Sequence, residues 1–437
     1  MPAQARQFTS ETVIEKKGTS LTRAVGASLI GNTLEWFDLS VYAYFAVTIG
    51  KVFFPSDDSS LSLLLAFGTF GLSFLIRPVG AMVLGAYADR AGRKKSLSMS
   101  LSLMLLGTFM IAVMPSYASI GALAPAGMVL ARLLQGFSAG GEFGSSTAFM
   151  MEHAPQKKRV FVASLQFASQ GFGVVIASLF GYFLTKNLTA AAMQDWGWRI
   201  PFFFGLSIAP VGLYLRSKVD ESPEFTSNAE NKNAHTVNKP ISHLFRSQKL
   251  LMLVATGVLI ISTASTFLIK YMPTYAVENL KLSQSTGFLA TLLAGLMLTF
   301  VTPIVGLLAD RIGRIRIMLG AAIVYMLLAY PFFLWLNANP SDTSLLIVVG
   351  MIGLIKATYF APLASIMSDI FPVETRVTGM SISYSVGVSV FGGFAPAISI
   401  FLIKITGTPV APSYYLIAAS CLSIFSLVVA AIKLKVK

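Results

Sequence analysis

The chain has 437 residues, 55% of them hydrophobic and only 12% charged, with a formal net charge of +14. Soluble domains carry roughly twice that charged fraction, which excludes an ordinary soluble interior. The 33 Phe and 18 Met in long uncharged runs leave little polar surface for phosphates or bases, so the basic surplus does not describe a nucleic-acid binder. The single cysteine, Cys421, excludes a disulfide framework or a multi-cysteine metal site, and His153, His235 and His243 lie in polar stretches near lysines. No zinc or haem constellation can be assembled, and no cofactor is expected.

Residues 1–23 are polar and mixed in charge, lack the apolar core of a secretory signal, and are expected to form an uncleaved cytoplasmic tail. A helix needs about 20 apolar residues to cross the hydrocarbon. Twelve stretches come near or exceed that length: 24–48, 60–86, 97–114, 119–150, 160–185 and 200–215, then 250–276, 284–308, 317–337, 343–368, 377–403 and 412–432. The polar interruption at 216–249, rich in Asn, Ser and Lys, is a linker that divides an amino-terminal bundle, 24–215, from a carboxyl-terminal one, 250–432, with a short tail at 433–437. The predicted fold is therefore an all-α membrane protein of twelve transmembrane helices in two six-helix bundles.

Lys and Arg are retained on the cytoplasmic side of a membrane. Of the 33 basic residues, 24 fall in the tails and alternate loops of one side, five (Lys51, Lys186, Arg199, Lys281 and Lys404) on the other, and four inside spans. Both termini are predicted to be cytoplasmic, with a secondary attraction of the basic face to anionic lipid. Trp196 and Trp198 read as an interface belt in which Arg199 snorkels.

The two halves repeat. Gly85-Ala-Tyr-Ala-Asp89-Arg90-Ala-Gly92-Arg93 follows the second span and Gly306-Leu-Leu-Ala-Asp310-Arg311-Ile-Gly313-Arg314 the eighth, 221 residues later. Glu152-His-Ala-Pro155 with Arg159 and Asp369-Ile-Phe-Pro372 with Arg376 form a second pair, offset by 217. A parallel repeat of six helices is the trace of two bundles related by an axis along the membrane normal. The doubled loop resembles the signature of the major facilitator superfamily. Gly31-Asn-Thr-Leu-Glu35-Trp-Phe-Asp38, Arg77-Pro78-Val-Gly80, Gln135-Gly136-Phe-Ser-Ala-Gly-Gly-Glu142-Phe-Gly144 and Asp195-Trp-Gly-Trp198-Arg199-Ile-Pro-Phe202 look like its metabolite:proton symporter branch, which includes carriers of citrate, 2-oxoglutarate, shikimate and proline or betaine. The first span and Tyr271-Met-Pro-Thr-Tyr275 look more like the osmolyte carriers, the fourth and fifth spans at least as much like the carboxylate carriers. The resemblance implies a monomeric multi-pass protein of the bacterial inner membrane that moves a small metabolite with protons by alternating access.

It also implies a gating role for the repeated loops, Asp89, Arg90, Arg93, Asp310, Arg311 and Arg314, with Asp89 or Asp310 meeting the partner bundle when that side is shut. Glu152 and Asp369, at the ends of the fourth and tenth spans, are candidates to pair with the loop arginines. The other reading is that these charges only fix topology.

Ionisable groups within spans are expensive and are functional candidates by default. Seven are present: Glu35, Asp38, Arg77, Arg132, Glu142, Lys270 and Lys356. Apart from Arg77, all fall on spans 1, 4, 7 and 10, which the resemblance puts around a central cavity. At about 1.5 Å per residue, Asp38 and Arg132 reach roughly the same depth from opposite ends. An acid facing a guanidinium stays ionised until the arginine withdraws, which makes Asp38 the expected proton carrier and Arg132 its partner. The alternatives are a permanent ion pair joining helices 1 and 4, or proton uptake at Glu35 or Glu142.

Gln166 and Gln170, four residues apart on one helix face, and Tyr42, Tyr271 and Tyr275 are candidate substrate contacts together with Arg77. Gly136, Gly140 and Gly144 are spaced for close helix packing. Lys270 and Lys356 stand where compared relatives of the family carry neutral residues. Two cations facing the acidic amino-terminal half favour a di- or tricarboxylate such as citrate or 2-oxoglutarate. The competing reading is a zwitterionic osmolyte held on the aromatic faces of Trp36, Tyr42 and Tyr44. Efflux by antiport is the less favoured alternative. An enzyme is not expected, because the candidate cavity holds no histidine, and the single cysteine, Cys421, stands near the last helix.

Overall fold

A computed structural model of the chain describes residues 21–91, 93–140, 147, 150, 158–217, 240–372 and 375–434. Every regular element among them is helical. In the amino-terminal half, α1 is Leu21–Tyr44, continued past Phe45 by Ala46–Phe53, and α2 runs from Ser59–Leu75 into Arg77–Ala91. Next come α3 (Arg93–Val113), α4 (Leu123–Ala139), α5 (Arg159–Asn187) and α6 (Ile200–Ser217). The second half contains α7 (Lys249–Glu278), α8 (Gln284–Ile312), α9 (Arg314–Ala338), α10 (Asp342–Phe360, then Leu363–Ile370), α11 (Arg376–Gly387 through a π-helical Val388–Gly393 to Ala395–Thr406) and α12 (Pro412–Lys433).

The sequence supplies the helix starts. Asp58 accepts the Ser60 amide at 2.9 Å ahead of α2, Ser283 accepts that of Thr286 at 3.1 Å ahead of α8, and Ser341 and Ser344 form a reciprocal box ahead of α10. Each satisfies an amide that the first turn leaves open. Gly313 joins α8 to α9 with φ 108°, a conformation closed to most L residues, which explains a glycine at that position of the repeated loop.

Eight of the described helices are long and apolar enough to cross a membrane by length and composition alone. Those falling short include α1, which carries Glu35 and Asp38, and α3, whose apolar part is confined to Ser98–Val113. The fourth span starts later than its hydropathy suggests, because Gly121, at φ 58°, separates the turn Tyr117–Ile120 from α4. A short helix, Pro240–Ser247, occupies the end of the expected linker. Outward faces carry exposed Leu, Ile and Phe, such as Leu253, Phe300, Ile304 and Phe425, over an interior that holds the charged side chains. This inverts the soluble arrangement and gives lipid its solvent face.

Within the first bundle α2 and α4 cross almost backbone to backbone. A Cβ on Gly136 would stand 1.7 Å from the Ser73 carbonyl oxygen, one on Gly140 2.1 Å from that of Arg77, and one on Gly80 2.0 Å from that of Phe137. Between bundles, α5 lies along α8 and α2 along the π-helical part of α11, where Ser389 donates to the Phe74 carbonyl at 2.5 Å. Both ends are bridged. At one, Lys404 reaches Asp58 at 2.9 Å; at the other, the Asp310 carboxylate accepts the backbone amides of Val160 and Phe161 at the start of α5. Contacts between the bundles thus stand at both ends of the core.

Candidate functional site

Six charged side chains are buried among the described residues: Glu35, Asp38, Arg77, Arg132, Lys270 and Lys356. The glycine crossing of α2 and α4 presses one face of α4 against α1, α2 and α3, and it carries Arg132 and Gln135 there, one turn apart. Gln135 stands between the expected partners. Its Nε2 donates to Asp38 Oδ2 at 2.5 Å, while its Oε1 accepts Arg132 Nη1 at 2.6 Å. Asp38 and Arg132 are therefore joined through an amide rather than in direct contact. Thr108 on α3 donates to Asp38 Oδ1 at 3.1 Å, and Arg132 Nη2 donates to Ser73 at 3.0 Å.

Tyr42 lies under the Arg132 guanidinium, 4.5 Å from its ring centroid, and donates to the Ala66 carbonyl at 3.3 Å. One turn of α1 away, Glu35 pairs with Arg77 at 3.1 Å, and the Arg77 guanidinium lies 4.4 Å from the Phe74 ring centroid. Two arginine nitrogens, Arg77 Nε and Arg132 Nε, are buried without an acceptor, as is Gln170 Nε2.

The second bundle contributes the lysines. Lys270 extends from α7 across the bundle interface to donate to Ser40 of α1 at 2.7 Å, and its ammonium lies 4.8 Å from the Trp36 ring centroid. It neither snorkels nor pairs with a backbone carbonyl. Lys356 on α10 lies 4.7 Å from the Phe360 centroid, and Phe360 in turn packs on Phe167 of α5 at 4.4 Å. Lys356, Arg132 and Arg77 all repel Lys270, and Glu35 attracts it. The four cations and two acids thus occupy one electrostatic neighbourhood.

The polar candidates on α5 and α7 divide. Gln170 meets Tyr384 of α11 across the interface, whereas Gln166 is held inside the first bundle, its Oε1 accepting Thr147 at 2.6 Å and its carbonyl accepting Asn32 at 2.8 Å. Tyr271 packs edge-on against Phe67 of α2. Tyr275 donates to the Pro409 carbonyl at 2.7 Å and accepts from Asn337 Nδ2 at 2.7 Å, a structural tie at the Asp58 end of the second bundle.

Trp196 is half exposed but Trp198 is fully buried, and Arg199 does not snorkel. Its two terminal nitrogens donate to the carbonyls of Ala112 and Met114, each at 2.7 Å, capping α3. Cys421 faces outward beside Met326, away from the charged core.

Of the loop residues, Arg314 pairs with Asp369 and donates to Ser365 at 2.6 Å, tying the α8–α9 loop to the end of α10. Arg311 lies in the last turn of α8. Glu142 and Glu152, and the side chains of Asp89, Arg90 and Arg93, lie outside the described residues. Gln135, Thr108, Ser73 and Ser40 join the site without having been singled out. For Gln135 the signal was present, since it follows Arg132 by three residues on the same helix face.

Twelve helices in two bundles around a core of buried charged side chains define a multi-pass membrane protein. A family model described as the Major Facilitator Superfamily matches residues 28–338 and again 286–437, and the chain belongs to that family. Among similar proteins, the citrate-proton symporter of Salmonella typhi is 37% identical over 393 residues, 89% of each chain. The proline/betaine transporter of Escherichia coli (strain K12) is 33% identical over 417 residues, 93% of this chain and 82% of that one. In fold, the crystal structure of a D-xylose-proton symporter superposes with a TM-score of 0.71 at 19% identity, covering 94% of this chain and 97% of the other.

Proposed function

We propose that the protein takes up a small organic anion, a di- or tricarboxylate, together with protons, by exposing its core alternately to the two faces of the membrane. The observation that carries this reading is the balance of buried charge. Among the described residues four buried cations stand against two acids, so this set of groups carries an excess of two positive charges without a substrate. Burying unpaired charge is strongly unfavourable. A dicarboxylate supplies two separated negative charges, and a proton on Asp38 makes room for one more. Lys270, Lys356 and the open nitrogens of Arg77, Arg132 and Gln170 are the groups to receive the substrate. Asp38 carries the proton, and Arg132, acting through Gln135, favours the ionised state. The loops at the Asp310 end gate the cytoplasmic side, both termini lie in the cytoplasm, and the carrier works as a monomer in the inner membrane.

A zwitterionic osmolyte is the second reading, supported by the proline/betaine relatives and by the aromatic faces of α1. Those faces are already covered here: Trp36 by Lys270, Tyr42 by Arg132, and Tyr44 by the edge of Phe288 at 5.5 Å. A quaternary ammonium would have to displace Lys270.

Purified protein in liposomes, given labelled citrate, 2-oxoglutarate, proline or betaine with and without an inward proton gradient, tests both. The anion reading expects gradient-stimulated carboxylate uptake, and Lys270→Gln and Lys356→Gln each weakening it about tenfold, or about 1.4 kcal/mol. Preference for betaine or proline with both variants near normal would overturn it.

A further inference from the structure

The two oxygens of Asp38 face different surroundings. Oδ2 is occupied by the Gln135 amide nitrogen, whose orientation is fixed because its oxygen must accept Arg132. An amide N–H at neutral pH neither takes up nor passes on a proton, so the Arg132 side of the carboxylate is closed to proton traffic. Oδ1 meets the Thr108 hydroxyl, which has a second acceptor, the Met104 carbonyl, at the same 3.1 Å. When Oδ1 is ionised, Thr108 donates to it. When a proton bonds to Oδ1, the carboxylic O–H donates to Thr108 Oγ1 and the hydroxyl turns to Met104.

Beside Thr108 and Asp38, between α1, α3 and α6, is a cavity of about 10 Å³ lined also by Leu34, Met104, Leu105 and Gly205. A second cavity of about 10 Å³ shares Met104, lies one turn nearer the repeated-loop end, and is lined by Gly31, Glu35, Ser100 and Ser138. Each has the size of about one water and polar groups to hold it. Both lie on the α1–α3 side of the first bundle, whereas Lys270 and Lys356 approach α1 and α5 from the second bundle.

We infer that protons and substrate travel separately: the proton of Asp38 is exchanged through these two water-sized cavities along α1 and α3, past Glu35, and not through the substrate cavity. In the loading step an O–H bond forms at Asp38 Oδ1 as one breaks in a hydronium in the first cavity, leaving water. Release reverses it, and the proton moves on by way of the second cavity and Glu35. Arg132 from α4 and Lys270 from α7 are the cations that act on Asp38, and neither lines either of the two small cavities. The inference rests on Asp38 as the proton carrier.

Gly205 offers a test that leaves the charged groups alone. A Cβ there meets Phe37 at 3.4 and 3.8 Å, so Gly205→Ala fits, and Gly205→Val adds two further methyl groups at a residue that lines the first cavity. In liposomes with labelled citrate, and with betaine as a second probe, Gly205→Val should slow gradient-driven accumulation about tenfold while substrate exchange, which needs no net proton movement, stays within about twofold. Gly205→Ala should be near normal.

Thr108→Val should give the same split, and Thr108→Ser should restore coupling. The infrared band of the protonated Asp38 carboxyl, identified by its loss in Asp38→Asn, should move in Thr108→Val and return in Thr108→Ser. Undiminished gradient-driven uptake in Gly205→Val, a fall in accumulation and exchange together, or a carboxyl band indifferent to Thr108 would each overturn the separate path. If Asp38→Asn itself accumulates substrate normally, the failure lies instead with Asp38 as carrier.

Discussion

The charged core has two halves built on different principles. On the amino-terminal side, Asp38, Gln135, Arg132, Thr108 and Ser73 form a closed chain of hydrogen bonds, and Glu35 has its own arginine. On the carboxyl-terminal side, Lys270 makes one hydrogen bond, to the opposite bundle, and Lys356 rests on an aromatic ring. A charge fully engaged within one bundle keeps its position as the bundles rock, whereas one engaged across the interface, or by a ring alone, must find another partner. The comparison assigns the fixed half to the proton and the exchangeable half to the substrate.

The comparison breaks most severely at Asp38. Asp38→Asn should abolish accumulation driven by a pH gradient while retaining exchange of internal for external substrate, measured in liposomes with labelled citrate. Gln135→Ala comes next, because it strips one hydrogen bond from each of two buried charges. At about 1.5 to 3 kcal/mol for a hydrogen bond to a charged group, it should reduce coupled uptake by at least about tenfold and lower the denaturation temperature in detergent. Lys270→Gln, by contrast, should leave that temperature nearly unchanged while weakening carboxylate uptake; equal destabilisation by the two substitutions would erase the distinction between the halves.

Arg199→Ala, far from the core, uncaps α3 and should cost about 1 to 2 kcal/mol of stability, read from detergent unfolding, with transport retained. The smallest effect belongs to the exposed Lys404–Asp58 pair. The Lys404 hydrogen bond holds the Asp58 carboxyl below the ordinary carboxylate range. Its contribution to closure is therefore present above the unfolded carboxylate pKa of about 3.9 and lost as pH falls through the lower folded value. Lys404→Gln should modestly increase cysteine labelling at the Asp58 end at neutral pH, and an increase at the Asp310 end would contradict the placement.

Hydropathy located the spans even where charge interrupts them, as in α1 and at the start of α3, because the remainder of each helix is apolar enough to mark a segment that lies against lipid. It was least reliable where a backbone detail intervened, as at Gly121. The same cost argument picked out all six buried charges and brought Asp38 and Arg132 to one depth. What it could not supply was the rotamer of Gln135, which turned an expected ion pair into a relay, or the partner of Lys270, which exists only once α7 packs on α1. Helical periodicity puts Gln166 and Gln170 on one face, yet a face wider than one neighbour sends Gln166 to Thr147 and Gln170 to Tyr384. Tyr275 illustrates the same limit: aromatic and well placed in sequence, it closes a helix end in its own bundle.

Along the contact of α5 with α8 the two helices run past each other through Gly181 on Phe288, Ser178 on Thr291, Val175 on Gly295, Gly171 on Leu298 and Ser164 on Gly306. At nearly every step one side offers a glycine or a hydroxyl, so the surfaces have few interlocking teeth. Helices that interdigitate must lift apart before they turn. Helices meeting on such a smooth line can roll, exchanging one shallow contact for the next without first opening a gap. The seam therefore acts as a bearing, and a bulky side chain introduced at Gly171 or Gly295 would act on it like grit, slowing the turnover of a carrier whose binding groups remain intact.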